Sequence, residues 1–244
     1  MSPLRPLALF LALVSIAAGL PSLADPKPDT TRAAPASATP EPQPAPSAQH
    51  WREGIHYERL ASAPVTSKRG TVEVLEFFWY GCAHCYTLEA YLRDWIVRKP
   101  AYLTFVRIPI AWGPMDTPHA RLFYTLKALE REDLHATIFE VMHVQHNPLS
   151  VLNDDERTFA LQRIFVTQHG IDGTRFLRAR NSAQVTHNID GAKRLAQQYK
   201  IDAVPTMVID GQYKTDMGRA GGPAQLLALV DLLAEQDYTL PTRR

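Results

Sequence analysis

The chain has 244 residues, 45% of them hydrophobic, with 26 Lys and Arg against 25 Asp and Glu. So even a balance offers no basic face to recommend nucleic acid as a partner. With only two cysteines, a four-thiolate zinc site is excluded.

Residues 1–24 are expected to be a secretory signal peptide. Arg5 supplies the positive start, Leu7 to Leu20 an apolar run, and Ser22-Leu23-Ala24 the small residues that a signal peptidase checks. The run is short for a membrane span, so cleavage is expected rather than retention as an anchor. Losing Arg5 takes the balance from 26 against 25 to 25 against 25. Residues 25–50 are rich in Pro and Ala, with Pro40, Pro42, Pro44 and Pro46 alternating with other residues. Such a composition cannot bury a core, so a disordered spacer is expected, with a proline-recognition ligand as the alternative.

A short strand is predicted near Tyr57 to Leu60 and a turn at Lys68-Arg69-Gly70. Val72 to Tyr80 is β-branched and aromatic, as a buried strand would be. After Gly81 come Cys82-Ala83-His84-Cys85, then apolar residues at Leu88, Tyr91, Leu92, Trp95 and Ile96, the three-and-four spacing of an amphipathic helix. The cysteines therefore fall where a strand hands over to a helix N-terminus. Unpaired N–H groups and the positive dipole end favour a thiolate there, so Cys82 should have a lowered pKa. Cys85, about one turn on, can close a small ring with Cys82 but should be more buried and less acidic. His84 adds an N–H donor or a positive charge near the Cys82 sulfur.

Three other readings of this pair compete with redox chemistry. Half a zinc site lacks companion spacing among the histidines. Haem attachment needs His directly after the second cysteine, where Tyr86 stands. A structural disulfide closing so small a loop would constrain little. Redox chemistry is the reading that fits the strand, the helix and export together.

The helix is predicted to stop near Lys99-Pro100, and Leu103 to Ile108 is the next strand. Strand, helix, strand makes a βαβ unit, so these strands should be parallel, with the cysteines at the carboxyl end of one. From Met115 to Lys200 helical spacings follow one another: Leu122-Phe123-Leu126-Leu129, Leu134-Ile138-Phe139-Met142, Phe159-Leu161-Ile164-Phe165 and Phe176-Leu177. Asn153 to Glu156 has the acids of a helix start. Helices without strands read as an inserted helical domain, and Thr186 to Tyr199 as the helix returning to the sheet. His119, His135, His143 and His146 read as ordinary helix-surface or core histidines. Thr206 to Ile209 is a strand, Asp210-Gly211 a hairpin turn, and Tyr213 to Thr215 an edge strand. Gly218, Gly221 and Gly222 fit no phosphate-loop spacing and read as a loop before the closing helix at Leu226 to Leu233.

Two of these stretches carry a family resemblance. Leu75-Glu76-Phe77-Phe78 with Tyr80 to Tyr86 resembles the active-site region of the DsbA family of thiol:disulfide oxidants. Ala203-Val204-Pro205-Thr206 to Gly211 is similar to the family's cis-proline loop and following strand. The resemblance spans roughly 51–240. It implies an α/β thioredoxin-like fold with an inserted α-helical domain. The thioredoxin-like part would be 51–112 and 200–240, and the insert 113–199. One departure is Ala83, where the family most often has proline. It bears on the redox potential and not on the reaction type.

The resemblance also implies roles. Glu76, an acid in an apolar strand, would be the family's buried carboxyl that accepts or relays a proton for the second cysteine. The alternative is an acid on the solvent side of an edge strand. Relatives often pair this acid with a lysine on the next strand. Phe105 stands there, and Arg107, on the same face, is the substitute. Val204-Pro205 would be a cis bond beside the cysteines, giving an extended substrate peptide an edge to bind.

The activity implied is a periplasmic oxidase that donates the Cys82–Cys85 disulfide to unfolded exported proteins and needs no cofactor or metal. A membrane oxidase of the DsbB type would reoxidise it. An isomerase or reductase of the same fold is the nearest rival, and a binding module or chaperone with an inert disulfide the more distant one. Because 25–50 cannot form the dimerisation domain of periplasmic isomerases, a monomer is expected.

Overall fold

The computed structural model describes residues 51–60 and 70–239. The expected signal peptide, the Pro/Ala-rich spacer and Lys68-Arg69 of the turn lie outside the described residues.

The sheet has five strands, β1 (Glu58–Arg59), β2 (Val72–Phe78), β3 (Leu103–Pro109), β4 (Thr206–Ile209) and β5 (Tyr213–Asp216), in the order β1-β5-β4-β2-β3. β2 runs parallel to β3 and antiparallel to β4. The hairpin partner β5 is not an edge strand as expected, because two residues of β1 pair outside it. The short strand expected near Tyr57 to Leu60 is β1, and its place outside β5 is a pairing that no local pattern shows.

Between β2 and β3 lies α1 (Ala83–Arg98). Its buried face is Cys85, Leu88, Glu89, Leu92 and Trp95. That differs from the apolar stripe read in the sequence: Glu89 is inside, and Tyr91 is 43% exposed. Between β3 and β4 stand α2 (Thr117–Ala128), a 3-10 turn at Glu132–Leu134, α3 (His135–His143), α4 (Asp155–Gln168), α5 (Gly173–Arg180) and α6 (Ala183–Gln198). Asp154, Asp172 and Ser182 cap α4, α5 and α6 by accepting a backbone N–H three residues on. The Ser182 cap starts α6 three residues ahead of the expected Thr186. After β5, α7 (Met217–Ala220) fills the stretch read as a glycine loop and ends on Gly221, whose φ of 96° is the left-handed turn that glycine tolerates. α8 (Pro223–Thr239) closes the described chain.

Strand alternation feeds two cores. Val72, Val74, Met207 and Ile209 pack with Leu88, Leu92 and Trp95 of α1 and Leu226, Leu229 and Val230 of α8. Trp95 Nε1 donates to Asp231 at 2.8 Å and ties these two helices together. Leu75, Phe77 and Val208 belong to the other core, with Leu122, Phe139, Phe176 and Ile189 from the helices between β3 and β4. Phe78 and Tyr80, at the carboxyl end of β2 and just beyond it, join that second core too. The strand end carrying the cysteines is therefore clamped between the sheet and the helical segment.

Candidate active site

Cys82 is the N-cap of α1, with extended backbone at φ −86° and ψ 117°. Its Sγ accepts the backbone N–H of Cys85 at 3.4 Å, as a serine or aspartate cap oxygen would. The two cysteines are free thiols here. Cys82 is half-buried and its pKa falls from 9.0 to about 6. The hydrogen bond from the Cys85 thiol contributes most. Burial opposes it, and the N–H groups of Cys85 and His84 and the charge of His84 add to the lowering. Cys85 is fully buried, and desolvation with the neighbouring Cys82 sulfur pushes its thiol far up. One sulfur is an accessible thiolate at neutral pH and the other is a shielded thiol.

On the open side, Cys82 Sγ stands 3.4 Å from the carbonyl oxygen of Val204, whose bond to Pro205 is cis. A groove of about 400 Å³ is lined by His84, Val204, Pro205, Met217 and Gly218. The expected residues Cys82, His84, Val204 and Pro205 are thus brought together from segments more than a hundred residues apart.

Beneath the cysteines is a buried charge cluster. The β2–β3 register sets Glu76 opposite Arg107, the substitute partner expected on the same face, and Arg107 Nε lies 3.3 Å from Glu76 Oε2. Glu76 is 2% exposed, so it is not the solvent-side acid of the alternative reading. Burial raises its pKa from 4.5 to about 7 against the pull of Arg107. Arg107 also holds Glu89 of α1, its Nη2 reaching both carboxylate oxygens at 3.1 and 2.8 Å. His135 Nε2 faces Glu89 Oε2 at 3.5 Å, and His135 Nδ1 pairs with the Tyr80 hydroxyl at 2.8 Å.

Two further histidines brace the cysteine loop. Trp79 Nε1 donates to His119 Nδ1 at 2.8 Å, which leaves Nε2 of His119 to donate to the Pro148 carbonyl at 2.8 Å. The Trp79 ring folds over Gly81, where a Cβ would meet it at 2.4 Å. His143 bonds the Tyr80 carbonyl at 2.8 Å and stacks on Tyr86 at 4.8 Å. Sequence reasoning missed Glu89 and gave His119, His135 and His143 no part in this site. No local pattern marks them, because their partners come from other elements.

No protein-family model matches the chain. It is 36% identical over 194 residues to the thiol:disulfide interchange protein DsbA of Pseudomonas aeruginosa, covering 79% of this chain and 89% of that protein. The DsbA of Azotobacter vinelandii is 36% identical over 185 residues, 75% of this chain and 83% of that one. Among solved structures, Pseudomonas aeruginosa DsbA superposes with a TM-score of 0.71 over 78% of this chain and 96% of its own.

Proposed function

Because the chain belongs to the DsbA family and is a thiol:disulfide oxidoreductase of thioredoxin-like fold with a helical insert, we propose that it acts as an oxidase. It passes a disulfide between Cys82 and Cys85 to unfolded exported proteins. A substrate thiolate attacks Cys82 Sγ, the Cys82–Cys85 bond breaks, and its electron pair leaves on Cys85. Glu76, protonated near neutrality, gives its proton to that sulfur. A second substrate thiolate then attacks the substrate sulfur of the mixed disulfide, forms the client's bond and expels Cys82 as a thiolate.

The observation that carries this reading is the contrast between the two sulfurs, about 6 for Cys82 and far above 9.0 for Cys85. An acidic Cys82 is a good leaving group and favours the reduced enzyme, which makes the disulfide an oxidant. The Val204 carbonyl and the groove at His84 and Pro205 support docking of an extended substrate segment. The cycle needs an external electron acceptor, for which a DsbB-type membrane oxidase is the partner. Residues 1–24 direct export to the periplasm and 25–50 act as a spacer. The enzyme works as a monomer. The helical segment 113–199 serves as an insert in the thioredoxin-like parts 51–112 and 200–240.

Single cysteine variants test the division of labour. Cys82→Ser abolishes exchange, whereas Cys85→Ser, whose Cys82 thiolate can still attack a client that already carries a disulfide, holds such clients as long-lived mixed disulfides on non-reducing gels because no neighbouring thiol expels them. Alkylation of the reduced wild type labels Cys82 with an inflection near pH 6; labelling of Cys85 first would overturn the assignment.

A further inference from the structure

The proton step has to pass through a cluster that holds more acid than base. When Glu76 gives up its proton, two buried carboxylates, Glu76 and Glu89, face the single guanidinium of Arg107. In the structure Arg107 is committed to Glu89 by hydrogen bonds from Nη2 to both oxygens. Arg107 Nε and Glu76 Oε2, 3.3 Å apart, have no hydrogen-bond partner among the described residues, and Glu76 feels Arg107 mainly through its charge. The resting commitment of Arg107 is thus to Glu89. Once Glu76 is ionised, Arg107 must turn toward it, and Glu89 then needs another donor, since an uncompensated buried carboxylate is costly.

His135 is placed to be that donor. Its Nδ1 is engaged by the Tyr80 hydroxyl, and burial keeps that hydroxyl neutral by raising its pKa well above 10.0. If Nδ1 carried the ring proton, the lone pair of Nε2 would point at the Glu89 carboxylate 3.5 Å away, which is repulsive. The tautomer with Nε2–H toward Glu89 removes that repulsion, with Tyr80 donating to Nδ1; at 3.5 Å Nε2 makes no hydrogen bond while Arg107 holds Glu89, so it is a donor in reserve that closes on Glu89 when Arg107 turns away. Burial lowers the His135 pKa to about 4, so the ring is a neutral donor across the working range. The charged or titratable groups facing the cluster are Glu76 and Tyr80 from β2 and its end, Arg107 from β3, Cys82, Cys85 and Glu89 from α1 and its cap, and Glu132 from the 3-10 turn. Glu89 stays ionised throughout: burial pushes it up, but His135 and Arg107 outweigh burial and bring it below its ordinary value.

We propose that His135 is a positioning residue for the proton step: by holding Glu89 through Nε2–H, it frees Arg107 to stabilise Glu76 as Glu76 ionises, and so sets how readily Glu76 releases its proton to Cys85. This rests on the proton role of Glu76 proposed above. His135 touches neither sulfur nor client; it acts through Glu89 and Arg107.

The test is an infrared pH titration of the reduced protein, following the carboxyl band that disappears in Glu76→Gln. Each donor to a carboxylate lowers its pKa by about one unit, so His135→Leu raises the midpoint from near 7 to about 8. The pH profile of mixed-disulfide formation moves with it. His135→Gln keeps an N–H donor and brings the midpoint back to within a few tenths of wild type. Tyr80→Phe releases the tautomer and moves the midpoint up by a smaller amount, and carries the test if His135→Leu does not fold. A Glu76 band present near neutrality but unmoved in these variants overturns the role of His135 and leaves Glu76 standing. His135→Gln behaving like His135→Leu also overturns it, because ring packing rather than the donor would then matter. Absence of any Glu76-dependent band near neutrality in the wild type removes the proton role of Glu76, and this inference with it.

Discussion

Reduction of the Cys82–Cys85 bond should change the stability of the fold in a pH-dependent way. The acidic attacking cysteine and stabilised reduced form are recognised features of DsbA itself; the size and pH window here come from this chain. The Cys82 thiol falls from 9.0 to about 6 on folding. At about 1.4 kcal/mol per unit, that is roughly 4 kcal/mol for a fully shielded group. Cys82 is only partly buried, so solvent screening roughly halves this to about 2 kcal/mol.

A depressed folded pKa contributes stability that is full above the unfolded value and is lost as pH falls through the folded one. The reduced form therefore gains up to about 2 kcal/mol as pH rises from 5 toward 9 that the oxidised form, lacking a thiolate, does not; above 9 the buried Cys85 thiol, which stays protonated only in the fold, works the other way. Against this stands the disulfide's own effect on the unfolded chain. A ring spanning four residues contributes about 2 kcal/mol to the oxidised form at any pH. The two effects are comparable, so the order of stabilities at one pH decides nothing. The slope does. Glu76 titrates in both forms and largely cancels. Denaturant unfolding of both forms at pH 5, 7 and 9, with the reduced form kept anaerobic, should show the oxidised form ahead by about 2 kcal/mol in acid and the gap closing in mild alkali. A gap constant to within about 0.5 kcal/mol would mean that Cys82 is not a stabilised thiolate in the folded protein.

Arg107→Leu leaves Glu76 and Glu89 without their shared cation and should destabilise the fold by about 3–5 kcal/mol at neutral pH. Part of the loss should return by pH 5, because Glu76, raised above its unfolded value by burial, protonates there while Glu89 keeps His135 beside it; a loss independent of pH, read by thermal unfolding, would show that packing of the side chain matters and its charge does not. Gly81→Ala drives a Cβ into the Trp79 ring at 2.4 Å, and that ring is anchored to His119. The expected loss is about 1–3 kcal/mol with slower exchange, since the Cys82 N–H bonds the Trp79 carbonyl at 3.0 Å; unchanged stability and activity would show that the loop relaxes freely.

What could be read from the sequence follows from how local its cause is. The β2–α1 junction was legible because aromatic and β-branched residues give way to helical spacing at Gly81, and the cap position of Cys82 follows from that alone. β4 was legible to the residue. Glu76 was conspicuous as an acid in an apolar strand, and Arg107 followed from strand parity. Glu89 was not, because an acid in a helix reads as surface; it is inside because Arg107 and His135 reach it from other elements. Tyr91, counted into the apolar stripe, faces out for the complementary reason. β1 was expected near Tyr57 to Leu60, but its edge position is a tertiary pairing; α7, at four residues, is shorter than any period, so the short turn of helix before Gly221 was not legible.

The sheet ends on one side at β1, where Arg59 lies over the Tyr213 ring at 4.8 Å. Unfolded polypeptides carry unsatisfied amides and add readily to any free ladder, regardless of sequence. A long open margin would gather such chains by backbone pairing and hold them after their chemistry was finished. Two residues, one of them cationic, offer too little ladder to extend. For the unfolded clients proposed above, lingering by backbone pairing is therefore discouraged along that side, and the seven-residue β3 is the opposite edge of the sheet.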